Sequence, residues 1–179
     1  MNIEGRAVVV GHDIDTDVIA PTEYLLGAEA GDEGMELLKQ HAFQAVQPDF
    51  YKSVCPGDIL VAGRNFGLGS HREAANLVLP ALGIQAVVAD SIARIFFRNS
   101  IAIGMPAVSL PDITQHVSTG DQLRMSLIDG TLENLTTGEK LQFPPVSGPV
   151  WEILNSGGLI PLMKARLQNT MRVKIGTKE

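Results

Sequence analysis

The chain has one cysteine, Cys55, in 179 residues. A single thiol excludes an internal disulfide and a thiolate-rich metal cluster built by this chain alone, and it fits a reducing compartment. Charge is sparse: only 19% of residues are Asp, Glu, Lys or Arg, and acids outnumber bases 20 to 14, for a net charge of -6. Without a Lys/Arg run, this balance argues against a nucleic-acid footprint and against binding to an anionic membrane surface. No apolar stretch approaches the ~20 residues that span a bilayer, and the N-terminal MNIEGRAVVV lacks the apolar core of a signal peptide. The expected location is the cytoplasm. What the chain does have is 45% hydrophobic residues. A chain of this length buries roughly 70% of its unfolded surface, enough for one core and a single domain over residues 1–179. A surface so thinly charged leaves room for a second protein.

Periodicity and turn residues divide the chain. Residues 5–10 read as a first strand and 11–21 as an acidic, turn-rich segment. Residues 23–34, with glycines at 27, 31 and 34 and acids at 23, 29, 32 and 33, read as a mobile loop opened by Tyr24-Leu25-Leu26. Helical spacing is expected over 35–45, 72–82 (with Pro80 marking an early end or kink), 91–99, 151–154 and 159–167. Buried strands are expected at 59–62, 84–89 and 107–110. Residues 120–143 alternate in short segments separated by Asp129-Gly130 and Thr137-Gly138, an antiparallel hairpin pattern. The mixture predicts an α/β fold with a mixed sheet and flanking helices.

The stretch from Gly63 to Ala75, GRNFGLGSHREAA, follows a buried strand and opens a helix. Two nucleotide-binding readings fail on spacing. A phosphate loop needs Lys and Ser/Thr after its last glycine, but Gly69 is followed by Ser70-His71. A dinucleotide fingerprint needs a glycine where Arg72 stands, although Asp90 lies about 20 residues on. Ser70-His71-Arg72-Glu73 has the S-x-x-E spacing of a capping box, in which Ser70 would stabilise a helix start by about 1 kcal/mol. The same geometry suits chemistry. A hydroxyl among the free N–H groups of a helix start, with Arg72 as a nearby cation and carboxylate clamp, could act as a base toward carbon beside a carboxylate. Glycines before it let the backbone approach a small anion.

Four ordered motifs carry a family likeness. Gly63 to Ala75 resembles the signature of the swivelling domain of the aconitase superfamily, a glycine-rich turn running into Gly-Ser-x-Arg-Glu. His12-Asp13-Ile14-Asp15-Thr16-Asp17-Val18-Ile19-Ala20-Pro21 resembles the family's early aspartate-threonine-aspartate turn. The stretch ADSIARIFFRNS from Ala89 resembles its second helix, and WEILNSGGL from Trp151 its C-terminal tail. The resemblance implies a swivelling β/β/α domain, here at the length of a free-standing small subunit. It implies a hydro-lyase that moves a hydroxyl between adjacent carbons, active only with a large subunit that carries a 4Fe–4S cluster as Lewis acid. It makes Ser70 the general base and Arg72 the carboxylate ligand, with Gly69 and His71 against the substrate. This chain would supply no metal ligand, which agrees with its one cysteine.

The same resemblance places substrate specificity in the loop at Tyr24, Leu25 and Leu26. Family members acting on tricarboxylates carry an arginine there, whereas no arginine occurs between Arg6 and Arg64 in this chain. Leu25 and Leu26 would meet an apolar substituent, and an unpaired buried carboxylate is costly. The expected partners are therefore the large subunit and a small alkyl-malate: isopropylmalate first, with 2,3-dimethylmalate, methylmalate and the homoaconitate type as alternatives. His71 stands where most members have a second serine, and Leu68 where cysteine, isoleucine or an acid is frequent. A different-class alternative is a non-catalytic binding module that keeps the fold. Asp13, Asp15 and Asp17 lack the glycine and closing glutamate of a calcium loop and read as turn caps. Arg94 and Arg98, four apart, would share a helix face toward the cleft or remain solvated. His12, His41 and His116 have no ligand spacing and read as structural, and Cys55 as an inert loop thiol.

Overall fold

The structure, a computed structural model, describes residues 1–25, 31–70 and 72–176. In chain order its elements are β1 (Asn2–Val9), α1 (Thr16–Ile19), a 3-10 turn (Thr22–Tyr24), α2 (Asp32–His41), α3 (Phe50–Ser53), β2 (Ile59–Ala62), α4 (Glu73–Ala81), β3 (Ala86–Ala89), α5 (Arg94–Ala102), β4 (Ala107–Ser109), α6 (Ile113–His116), β5 (Gln122–Ser126), β6 (Thr131–Asn134), β7 (Glu139–Gln142), α7 (Gly148–Asn155) and α8 (Leu159–Gly176). The strands form one mixed sheet in the order β4-β3-β2-β1-β5-β6-β7.

β1 joins two kinds of sheet, and its sequence changes character where its neighbour changes. Asn2 to Arg6 pair antiparallel with β5, whereas Ala7 to Val9 pair parallel with β2. The first part has Ile3 buried between exposed Asn2 and Glu4, while Ala7 and Val8 are both buried. β2 and β3 are buried at every position, the mark of parallel strands covered on both faces. Period-two alternation sends Leu60, Ala62, Val87 and Ala89 to one face, packed with Leu38, Phe43, Phe50, Val78 and Phe96. It sends Ile59, Val61, Ala86 and Val88 to the other, packed with Ile113, Leu123, Met125, Leu132 and Leu154. Arg6 reaches from β1 to buried Asp58 at the foot of β2 with a 2.6 Å bond. That hydrogen bond raises the Arg6 pKa above its ordinary value, with desolvation opposing it.

The expected strands and hairpins are present, with several boundaries moved. α2 starts at Asp32 rather than residue 35 and ends at His41, because Phe43 takes a left-handed φ of 59°. The last three residues of the expected loop, Asp32 to Gly34, are therefore helical, and Thr22–Tyr24 form a tight turn at its other end. Residues 26–30, including Leu26, lie outside the described residues. α4 runs through Pro80 and ends one residue later, so the missing N–H falls in the last turn. α5 starts at Arg94 rather than residue 91, because Ile92 is held extended in a bridge to Phe66.

Candidate active site

The carboxyl ends of β1 and β2 lead into two turns that lie against each other, at the sheet edge where open α/β sheets place their ligand sites. The Asp13 N–H donates to the Arg64 carbonyl (2.7 Å), the Gly67 N–H to Ile14 (2.8 Å) and the Thr16 N–H to Leu68 (2.9 Å). The Asn65 amide donates to Asp13 Oδ1 at 2.7 Å. His12 Nδ1 accepts from the Arg64 N–H at 2.9 Å, leaving the ring proton on Nε2. Two glycines are required by contact. A Cβ on Gly63 would sit 2.1 Å from the His12 ring, and one on Gly67, whose φ is +74°, would sit 2.3 Å from the Phe96 ring. Phe66, fully buried, packs edge-on against Phe96 with centroids 5.1 Å apart, anchoring the glycine-rich turn to the core.

Gly69 and Ser70 stand exposed at the lip of this turn. Thr16 Oγ1 donates to the Ser70 carbonyl at 2.7 Å, so the Ser70 backbone is fixed. The Ser70 hydroxyl has no hydrogen-bond partner among the described residues. Arg72 is anchored across the turn: its Nη1 donates to Asp17 Oδ1 and to Thr22 Oγ1. The Thr22 hydroxyl in turn donates to Asp17 at 3.0 Å. With Nη1 committed, Nε and Nη2 remain as a parallel pair of donors suited to a carboxylate.

One local expectation is corrected. α4 begins at Glu73 with Arg72 as its N-cap, and no side chain caps it. Ser70 stands two residues before the N-cap and forms no capping box, because its carbonyl is engaged by Thr16 and its backbone is drawn toward the neighbouring turn. His71 lies outside the described residues.

The turn that leads to Tyr24 and Leu25 meets this site through Thr22. Tyr24 is half-buried and stacks on His41 with centroids 3.8 Å apart, and Leu25 is half-buried against the core. Both therefore offer only part of their side chains to a ligand. His41 is further held by Gln44 at 2.7 Å, and His116 by Glu139 at 2.8 Å. Asp15 caps α1 by accepting from the Val18 N–H at 2.8 Å. The Asp90 carboxylate accepts from the Thr114 N–H (3.3 Å) and hydroxyl (3.1 Å), a tie between β3 and α6 rather than a ribose ligand. Among the described residues no group of three or more His, Cys, Asp or Glu could hold a metal ion, and Cys55 is exposed and alone. No described helix is long and apolar enough to cross a membrane. Asp17 and Thr22, the anchors of Arg72, and Thr16, the anchor of Ser70, are the site residues that motif reading missed. The clue was present for two of them: Thr16 and Asp17 form the core of the aspartate-threonine-aspartate turn.

Comparison with known proteins shows the family. Residues 29–112 match the aconitase C-terminal domain. The 3-isopropylmalate dehydratase small subunit of Pyrobaculum neutrophilum is 46% identical over 164 residues, 92% of this chain and 98% of the relative. The isopropylmalate/citramalate isomerase small subunit of Methanocaldococcus jannaschii is 43% identical over 165 residues, 92% of this chain and 95% of the relative. A crystal structure of 3-isopropylmalate dehydratase from Methanocaldococcus jannaschii superposes with a TM-score of 0.86 at 34% identity, covering 96% of this chain and 99% of that one. The chain, with its seven-stranded mixed sheet and its glycine-rich turn running into Gly69-Ser70 and Arg72, belongs to the 3-isopropylmalate dehydratase small-subunit family of the aconitase superfamily.

Proposed function

We propose that the chain is the small subunit of a two-chain hydro-lyase of leucine biosynthesis, acting in the cytoplasm and interconverting 2- and 3-isopropylmalate by dehydration and rehydration. The observation that carries this reading is an exposed Ser70 hydroxyl without a partner among the described residues, two positions before an Arg72 guanidinium held in place by Asp17 and Thr22. Arg72 Nε and Nη2 hold a substrate carboxylate side-on. This turns the adjacent carbon toward Ser70 Oγ, whose alkoxide takes the proton while the C–O bond at the neighbouring carbon breaks and its hydroxyl departs as hydroxide, for which a cluster in the large subunit would supply the Lewis acid. Water adds back in the opposite sense and Ser70 returns the proton. The Arg72 charge lowers the cost of the alkoxide at Ser70. Gly69 leaves the lip open to a small anion, and His71, next in the chain after Ser70, is included among the substrate-binding residues on this reading.

The 4Fe–4S cluster of the superfamily does not fit this chain, whose one cysteine is exposed and whose described residues include no metal-holding group. On this reading the cluster resides in a large-subunit partner. Selectivity for the alkyl group is assigned on this reading to the Tyr24-Leu25-Leu26 segment, which has no arginine. A methyl-substituted malate is the second reading, favoured by the relative named isopropylmalate/citramalate isomerase small subunit. The test is an anaerobic assay of the chain reconstituted with its large subunit against isopropylmalate, citramalate, 2,3-dimethylmalate, citrate and homocitrate. Preference for isopropylmalate or citramalate is expected, with no turnover by the chain alone. Preference for citrate or homocitrate, or full activity without a partner, contradicts the reading.

A further inference from the structure

α5 presents Arg94 and Arg98 one turn apart, both exposed, at the edge of a cavity of about 620 Å³. The cavity lies between α5, the end of β4 and the chain leading into α7, and its walls include Phe97, Ile101, Phe143, Val146 and Val150. Among the described residues neither guanidinium has a hydrogen bond or ion pair. By contrast Arg6, Arg64, Arg72 and Arg124 each meet a carboxylate. In a chain of net charge -6, two neighbouring cations without a carboxylate partner among the described residues stand beside an apolar cavity. α5 is also tied to the turn that carries Ser70. The Phe66 N–H donates to the Ser91 carbonyl at 3.0 Å, and the Ala93 N–H donates back to Phe66 at 2.9 Å. The groove and the catalytic lip thus belong to one hydrogen-bonded unit.

We propose that this groove docks the large subunit of the same hydro-lyase through an acidic segment. Carboxylates of that segment pair with Arg94 and Arg98, and an aliphatic or aromatic side chain beside them fills the cavity. The inference rests on the small-subunit reading above and adds where the partner grips and what chemistry it presents. Charge complementarity selects an acidic partner and sets its register. Apolar anchors in pockets are what make such contacts strong. Because α5 is bonded to the glycine-rich turn, occupying the groove also fixes the position of Ser70 relative to the partner.

The test is titration of the full-length chain with its cluster-loaded large subunit, at low and high salt. Arg94→Glu/Arg98→Glu is expected to raise Kd by about tenfold or more and to flatten its salt dependence. Arg94→Gln/Arg98→Gln gives a smaller loss in the same direction. Both variants change exposed side chains, and circular dichroism checks that they are folded. Ser70→Ala is expected to leave Kd unchanged while removing turnover. Unchanged Kd in both arginine variants overturns the groove proposal and leaves the small-subunit reading intact. So does saturable binding of hexanoate that the variants lose while assembly stays normal, since the groove is then a small-carboxylate site. Failure of the unaltered chain to bind the large subunit overturns both.

Discussion

β2 and β3 are buried at every position, whereas β5 and β6 bury only every second residue and β7 none. The parallel half is covered on both faces, on one by helices and on the other by the antiparallel strands together with α6 and α7, and is fixed by packing. The antiparallel half shows one face to water, and there Glu4, Arg124, Glu133 and Lys140 stand in register across four strands. They form a ladder of alternating charge, with contacts of 2.6, 3.6 and 3.3 Å between neighbours. The candidate site lies at the carboxyl ends of strands of the parallel half. The glycine-rich turn leaves β2 with its glycines pressed against His12 and Phe96, and the resulting rigidity holds Ser70 and Arg72 in place. Of the two hairpin-turn glycines, Gly138 has nothing near it, whereas a Cβ on Gly130 would meet the Phe143 carbonyl at 2.2 Å. The antiparallel half supplies cover for one face of the core and none of the site residues.

This contrast can be broken at several points. The largest stability loss is expected from Gly67→Ala, which combines a φ of +74° with a Cβ 2.3 Å from the buried Phe96 ring: about 3 kcal/mol or more by chemical denaturation. Its counterpart in the hairpins, Gly138→Ala, has a φ of +81° and open space around it, and should lose only ~1 kcal/mol. Equal losses would show that packing does not distinguish the halves. Leu60→Ala in β2 removes a fully buried side chain and should lose about 2–4 kcal/mol. Leu141→Ala in β7 alters a partly buried one and should lose ~1 kcal/mol or less. Asp17→Asn frees Arg72 from its charged anchor. It should raise KM in the reconstituted enzyme by about tenfold with little change in melting temperature. The smallest effect is expected from Arg124→Ala, which interrupts the charge ladder. Its shift in melting temperature should vanish in high salt.

The parallel strands were legible because burial on both faces writes an unbroken apolar run. The hairpins were legible because Asp129-Gly130 and Thr137-Gly138 mark their turns, where Gly130 and Gly138 take left-handed φ values of 64° and 81°. The start of α4 was misread for a tertiary reason. S-x-x-E from Ser70 to Glu73 satisfies the local capping pattern, but Thr16 captures the Ser70 carbonyl, and the helix waits until Glu73. The start of α5 moved for the same kind of reason, since Ile92 bridges to Phe66. Ser70 and Arg72 could be picked out because they share one short motif. The partners of Arg72 lie 55 and 50 residues away in sequence, and no local pattern reports a contact at that range. The short helix α3 was also missed; its four residues are too few to set up a period.

The most direct test of the account is turnover of 2-isopropylmalate by the complex reconstituted with Ser70→Ala, measured together with the amount of complex formed and the melting temperature of the isolated chain. A loss of about 10³-fold in kcat is expected, with assembly unchanged and no loss of stability, because the Ser70 hydroxyl caps no helix. Turnover within twofold of the unaltered complex, accompanied by a drop of ~1 kcal/mol in stability, would contradict it and return Ser70 to the role of a helix cap.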